Sequence, residues 1–223
     1  MNLVNTFFNA GVFLESLPQL LWGLVVTLEI GLVSIVAGLV GGLVLAVARL
    51  YSPALIRLFI RAYVDVFRSI PLLVLLIVVY YALPFVGIRL SPFFSAVTAL
   101  SLVSAAYTAE IFRAGIEAIP HGQFEASAAL GLSNRHTMVD VILPQAIRIV
   151  IPPLTNNCIN VLKDTALASV VAMPDLLKQA TQAQALAANP TPLIGAAAIY
   201  VLLLWPMVAV VSRLETHFSR GKR

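Results

Sequence analysis

Five apolar runs, separated by short stretches that hold almost all of the charge, leave this chain few ways to fold. A helix needs about 20 apolar residues to cross the hydrocarbon core of a bilayer. The first run covers 20–48 and contains one charged residue, Glu29. The others lie at 62–83, 93–111, 149–173 and 193–211. The second becomes strongly apolar only after Pro71, so its helix is expected to begin near Ala62 and to carry Asp65 and Arg68 at one end. Composition agrees: 60% of the 223 residues are hydrophobic and 11% are charged, where a soluble domain usually has about 25% charged. Too few charges remain to build a wetted surface. The expectation is an all-α membrane protein, one transmembrane domain over 1–223 with about five spans.

The positions of the cations orient it. Arg49, Arg57, Arg61, Arg68, Arg113, Arg135, Arg148, Arg213, Arg220, Lys222 and Arg223 fall on one side, eleven in all, against Arg89 and Lys178 on the other and Lys163 within a span. The positive-inside rule assigns the eleven to the cytoplasm. The N-terminus is then outside and the C-terminus inside, as an odd number of spans requires. The net charge of +4 therefore belongs to topology and not to nucleic-acid binding. No Lys or Arg precedes the first long apolar run, which is also too long for a signal-peptide core, so that run is expected to remain as a span. The single cysteine, Cys158, excludes an intramolecular disulfide and a thiolate cluster. His121 and His136 have no companions that would complete a ligand set, so no metal and no cofactor is expected.

Residues 113–148 form the most polar long stretch. Pro120 can open a short helix, Gly131 suits its C-terminal cap, and Ser133 can cap a second helix that breaks near Pro144. The segment reads as a helix-turn-helix outside the bilayer. It contains Glu125-Ala126-Ser127-Ala128-Ala129-Leu130-Gly131, then nine residues, then Val141-Ile142-Leu143-Pro144. This resembles the cytoplasmic loop of ATP-binding cassette importer permeases, whose pattern is E-A-A-x3-G-x9-I-x-L-P. Glu125, Ala126, Gly131, Leu143 and Pro144 match, while Ser127 replaces Ala and Val141 replaces Ile. Three further stretches resemble the polar amino-acid branch of that family: 63–72 around Asp65-Val66-Phe67-Arg68, 109–116 around Glu110-Ile111-Phe112-Arg113, and 162–167 around Lys163-Asp164.

The resemblance implies a type I importer permease fold with a cytoplasmic coupling helix, in a bacterial inner membrane. It implies that 113–148 is the coupling loop, and that Glu125, Ala126, Gly131, Leu143 and Pro144 meet separate ATPase subunits. It further implies a second permease subunit, identical or paralogous, a periplasmic or lipid-anchored solute-binding protein, membrane lipid around the spans, and a polar amino acid as solute. The chain would be a translocation subunit and not an enzyme. No G-x-x-x-x-G-K-[ST] loop is present, so ATP hydrolysis is expected elsewhere.

A candidate solute path lies in the fourth span. At 100° per residue, Asn156, Asn157, Asn160, Lys163 and Asp164 share one arc of about 120°. Ionisable groups at membrane depth usually face a cavity or a partner. Lys163 can meet a carboxylate and Asp164 an ammonium, with the Asn amides serving either. The same residues equally suit structural pairing across helices, though neighbours about 100° apart do not favour a Lys163–Asp164 bridge. Glu29 fits a basic partner, the solute's ammonium, or the outer interface. Gly38 and Gly42 have the spacing that lets another helix approach closely. An ion-gradient-driven transporter or channel is the competing class, but such proteins commonly carry internal repeats, and none is found here. A non-transporting scaffold would need neither a docking loop nor a polar helix face. Topology is testable: Asn134→Cys and Gln182→Cys, each in a Cys158→Ala background, are expected to label from opposite sides of the membrane. Labelling of both from outside would defeat the charge argument.

Overall fold

The computed structural model describes residues 6–219; Arg220, Lys222 and Arg223, which contribute to the charge count, lie outside the described residues. All regular structure among the described residues is helical. Helix α1, Ala10–Tyr51, is capped by Asn9, whose side chain accepts from the Val12 N–H. Its 42 residues reach about 63 Å at 1.5 Å per residue, twice the ~30 Å hydrocarbon thickness, so part of it lies beyond the core of the bilayer. Helix α2, Ala54–Ser69, stops because Ile70 precedes Pro71 and is held extended at φ −78°, ψ 128°. The chain then restarts as α3, Leu72–Val86, which widens to a π turn at Val78–Ala82 and closes as a 3-10 turn around Pro84. Gly87 at φ +88° ends it.

The two arms α2 and α3 are bent by 102°. The second apolar run is therefore a broken pair and not one helix starting near Ala62. Helix α4, Pro92–Glu117, is capped by Ser91 with Pro92 at its first turn. A short helix α5, His121–Ala129, leads to the long helical run α6, Asn134–Val171. Helix α7, Leu176–Ala187, follows, and α8, Thr191–Ser219, closes the chain. Helices α1, α4, α6 and α8 are each long and apolar enough to cross a membrane, and the bent pair α2–α3 meets the same measure when its two arms are taken together, which gives four spans, or five with that pair counted as one.

The polar residues between α6 and α8 are mostly helical: α7 occupies most of 174–192, and Asp175 caps it by accepting from the Leu177 and Lys178 N–H groups. The chain also does not break near Pro144, as the sequence led us to expect. The helical run passes through that residue by way of a π turn over Thr137–Ile142, in which the Leu143 N–H bonds back to the Met138 carbonyl. A proline ring clashes with the carbonyl four residues before it and supplies no N–H. Widening the preceding turn relieves both problems locally and keeps the axis continuous.

The helices meet through small residues. A Cβ built at Gly38 would strike Ser104, and one at Gly42 would strike Thr108 and, at 2.7 Å, the Ala105 carbonyl. Helix α1 thus lies directly on α4. From α6, the buried Asn157 amide donates to Ser104 Oγ at 3.1 Å and Thr108 Oγ1 at 3.3 Å. One pair of α4 hydroxyl residues is therefore shared by close packing on one side and hydrogen bonds on the other. Elsewhere Leu20, Leu176, Ala180 and Ala196 join α1, α7 and α8, while Ile159, Leu162, Leu204 and Val211 join α6 to α8. Overpacking such a contact costs typically about 1–3 kcal/mol. Gly42→Leu is expected to lower the thermal midpoint of the purified chain in detergent, whereas Gly122→Ala, with open space around it, is not. Equal midpoints would show that the α1–α4 contact is looser than described.

Candidate functional site

A cavity of about 250 Å³ lies between α4 and α6 beside the Asn157 contact. Its polar lining is Ser104 and Tyr107 from α4 and Asn157, Asn160, Lys163 and Asp164 from α6. Leu72, at the start of α3 just past the bend, also reaches it. Four of the five residues that share the polar arc thus open on one space. They differ in how they are satisfied. Asn157 is buried and spends its amide on α4. Asn156 is set apart from the cavity and donates instead to Glu215 Oε1 on α8 at 3.2 Å. Asn160 and Lys163 are exposed, and Asp164 is half-buried. Among the described residues neither Lys163 nor Asp164 is in an ion pair, with each other or with any other residue. The arc therefore divides into two structural amides, Asn156 and Asn157, and three polar groups open to a visitor.

Glu29 does not line this cavity. It is exposed on α1 among the exposed side chains of Trp22, Val25, Val33 and Val36.

Charge beside the cavity is organised by Glu110, to which the sequence reading gave no separate role. It accepts from Arg113 Nε at 2.9 Å and lies 3.5 Å from Arg68 and 3.8 Å from Arg49. One carboxylate thereby ties the adjoining ends of α1, α2 and α4. Arg68 also stacks over the Tyr107 ring at 5.4 Å, so this cluster touches the cavity wall. The signal was available as an acid three residues before Arg113 on one helix face, together with a run of unpartnered arginines upstream.

The 113–148 segment presents a second functional surface. Helix α5 exposes Glu125 and Ala126 outward, while Ser127 turns inward and bonds the Gln123 carbonyl at 2.7 Å. The departure from the family pattern at Ser127 is thus on the hidden side. Gly131 has φ +73°. Its N–H bonds the Ala128 carbonyl at 3.0 Å and the Leu132 N–H bonds the Ser127 carbonyl at 3.1 Å, a Schellman cap that needs a left-handed residue. A cluster of Ile119, Ile142 and Ala146 with Ile116, Phe124 and Ile149 packed around it seats α5 on the end of α4 and the start of α6. Leu143 and Pro144 sit at the exit of the π turn, Leu143 half-buried and Pro144 exposed.

Comparison with known proteins places this geometry. A model for the binding-protein-dependent transport system inner membrane component matches residues 38–223. The probable amino-acid ABC transporter permease protein YckA of Bacillus subtilis is 42% identical over 173 residues, 78% of this chain and 76% of that protein. The arginine transport system permease protein ArtQ of the same organism is 39% identical over 214 residues, covering 95% of this chain and 97% of that one. A chain from a crystal structure of an amino acid ABC transporter with histidines superposes with a TM-score of 0.87 at 35% identity, covering 92% of this chain and 96% of that chain.

Proposed function

The chain belongs to the family of binding-protein-dependent transport system inner membrane components, and we propose that it passes a polar amino acid through the cavity between α4 and α6. It is a transmembrane permease subunit of an ATP-driven importer. A route driven by an ion gradient has no support in this family. In the reading offered here, the N-terminus is outside and the 113–148 segment is cytoplasmic. Separate ATPase subunits dock on the segment through Glu125, Ala126 and Gly131 of the α5 region and Leu143 and Pro144 at the exit of the π turn. A second permease subunit completes the pathway and a solute-binding protein delivers the cargo.

The observation that carries the solute assignment is the pair of opposite charges, Lys163 and Asp164, open on one cavity with no partner among the described residues. A charge at membrane depth is costly unless it meets a compensating group. An amino-acid backbone brings a carboxylate for Lys163 and an ammonium for Asp164, and Asn160 and Tyr107 can bond either. The names of the relatives, an amino-acid permease and an arginine permease, are consistent with that cargo.

Lys163→Ala and Asp164→Ala are each expected to reduce solute-stimulated ATPase activity and uptake in the reconstituted complex while leaving complex yield unchanged. Charge-assisted hydrogen bonds contribute about 1.5–3 kcal/mol, so the apparent affinity should fall roughly 10- to 150-fold. Asn157→Leu should instead lower complex yield, since its amide is spent on α4. Wild-type stimulation in both charge variants would sink the pathway assignment. Coupling has its own test. A β-branched residue strains a position at φ +73°, so Gly131→Val should remain in the membrane yet lose the ATPase on copurification. Normal copurification with normal uptake would count against α5 as the docking element.

A further inference from the structure

We propose that a second cavity, lined by arginines where α1, α2 and α4 meet, binds the phosphate of an anionic phospholipid. This cavity holds about 430 Å³ and shares no lining residue with the solute cavity. Arg49 enters it from the end of α1, Arg57 and Arg61 from one face of α2, and Arg113 from the end of α4. Glu117 is the one acid in the wall, and Arg113 already binds it. Arg49 and Arg113 are also tied to Glu110, which fixes them as part of the wall. Arg57 and Arg61 are different: both are exposed, and among the described residues neither is in an ion pair. Four guanidinium groups against the carboxylates of Glu110 and Glu117 leave an excess of positive charge. Two of those groups are free to take new acceptors, and a guanidinium fork matches phosphate oxygens two at a time.

The remaining wall decides which phosphate. Leu50 and Leu58 line the cavity beside the arginines, and outside its lining α2 exposes Leu55 and Phe59, at 65% and 67%. A short helix that presents apolar and basic side chains together suits the boundary between headgroups and acyl chains. Inorganic phosphate or a nucleotide would leave the leucines in water. A phospholipid covers them with its glyceryl and acyl portion while its phosphate meets the arginines, and basic pockets between spans are known to take anionic headgroups. The exposed apolar side chains of α2 and the buried Ile60 and Val64 on its other face are satisfied together by a helix seated between protein and lipid.

The test uses the full chain, purified in a neutral detergent and stripped of lipid, with bound lipid counted by native mass spectrometry. Phosphatidylglycerol is expected to be retained as one molecule per chain at concentrations where phosphatidylcholine is not. Added salt should weaken that retention in the wild-type chain, a reading that needs no variant. Arg57→Gln with Arg61→Gln should raise the phosphatidylglycerol required roughly 30-fold, which is about 2 kcal/mol at tenfold per 1.4 kcal/mol. Arg89→Gln, far from this cavity in sequence and absent from its lining, should leave it unchanged. Millimolar inorganic phosphate should not displace the lipid. Equal retention of phosphatidylcholine, insensitivity to salt, or unaltered binding by the double variant would each overturn the proposal. Displacement by inorganic phosphate would overturn it too, by assigning the cavity to a soluble anion.

Discussion

Cohesion between helices in lipid cannot come from expelling water, because acyl chains are as apolar as leucine. It must come from close contact and from polar groups that satisfy one another. In this chain both are concentrated at Ser104 and Thr108. Gly38 and Gly42 bring α1 against one side of that pair, and the Asn157 amide reaches it from α6 on the other. Three spans are joined at one depth by backbone approach and two hydrogen bonds. The cavity of about 250 Å³ lies beside this junction, with Ser104 and Asn157 in its lining. The Glu110 cluster does similar work toward the ends of α1, α2 and α4, where charges rather than hydroxyls hold the helices together.

Much of this could be read from residue order. Long apolar runs announce spans because the bilayer fixes their length, and Gly131 announced its cap because a Schellman turn requires a left-handed residue. The motif at 125–144 was legible through family pattern, and its first part lies on an exposed, capped helix. What escaped were features set by neighbours. Pro144 reads locally as a stop, yet a π turn lets the axis continue. Pro71 lies inside a run that reads as one helix from near Ala62, yet the chain bends there by 102°. The residues 174–192 read as a polar connection, but packing of Leu176 and Ala180 on Leu20 gives α7 a buried face.

The polar arc on α6 illustrates the limit most clearly. Helical geometry groups Asn156, Asn157, Asn160, Lys163 and Asp164 without saying which face a helix and which face a void. Tertiary packing divides them: Glu215 on α8 takes Asn156, α4 takes Asn157, and the other three are left on the cavity. One helix face thus carries polar groups spent on neighbouring helices, Asn156 and Asn157, within a turn or two of Lys163 and Asp164, which are in no ion pair among the described residues.

The seat beneath α5 carries a mechanical consequence. Ile119 and Ile142, with Ala146, fasten the short helix to α4 and α6 at once, and Asn157 bolts those same two spans further along. A thrust applied to α5 therefore reaches a braced frame. Prising that frame apart would strand an amide in a medium with no water to receive it. The bend between α2 and α3 lies outside that frame, and its far arm touches the cavity through Leu72.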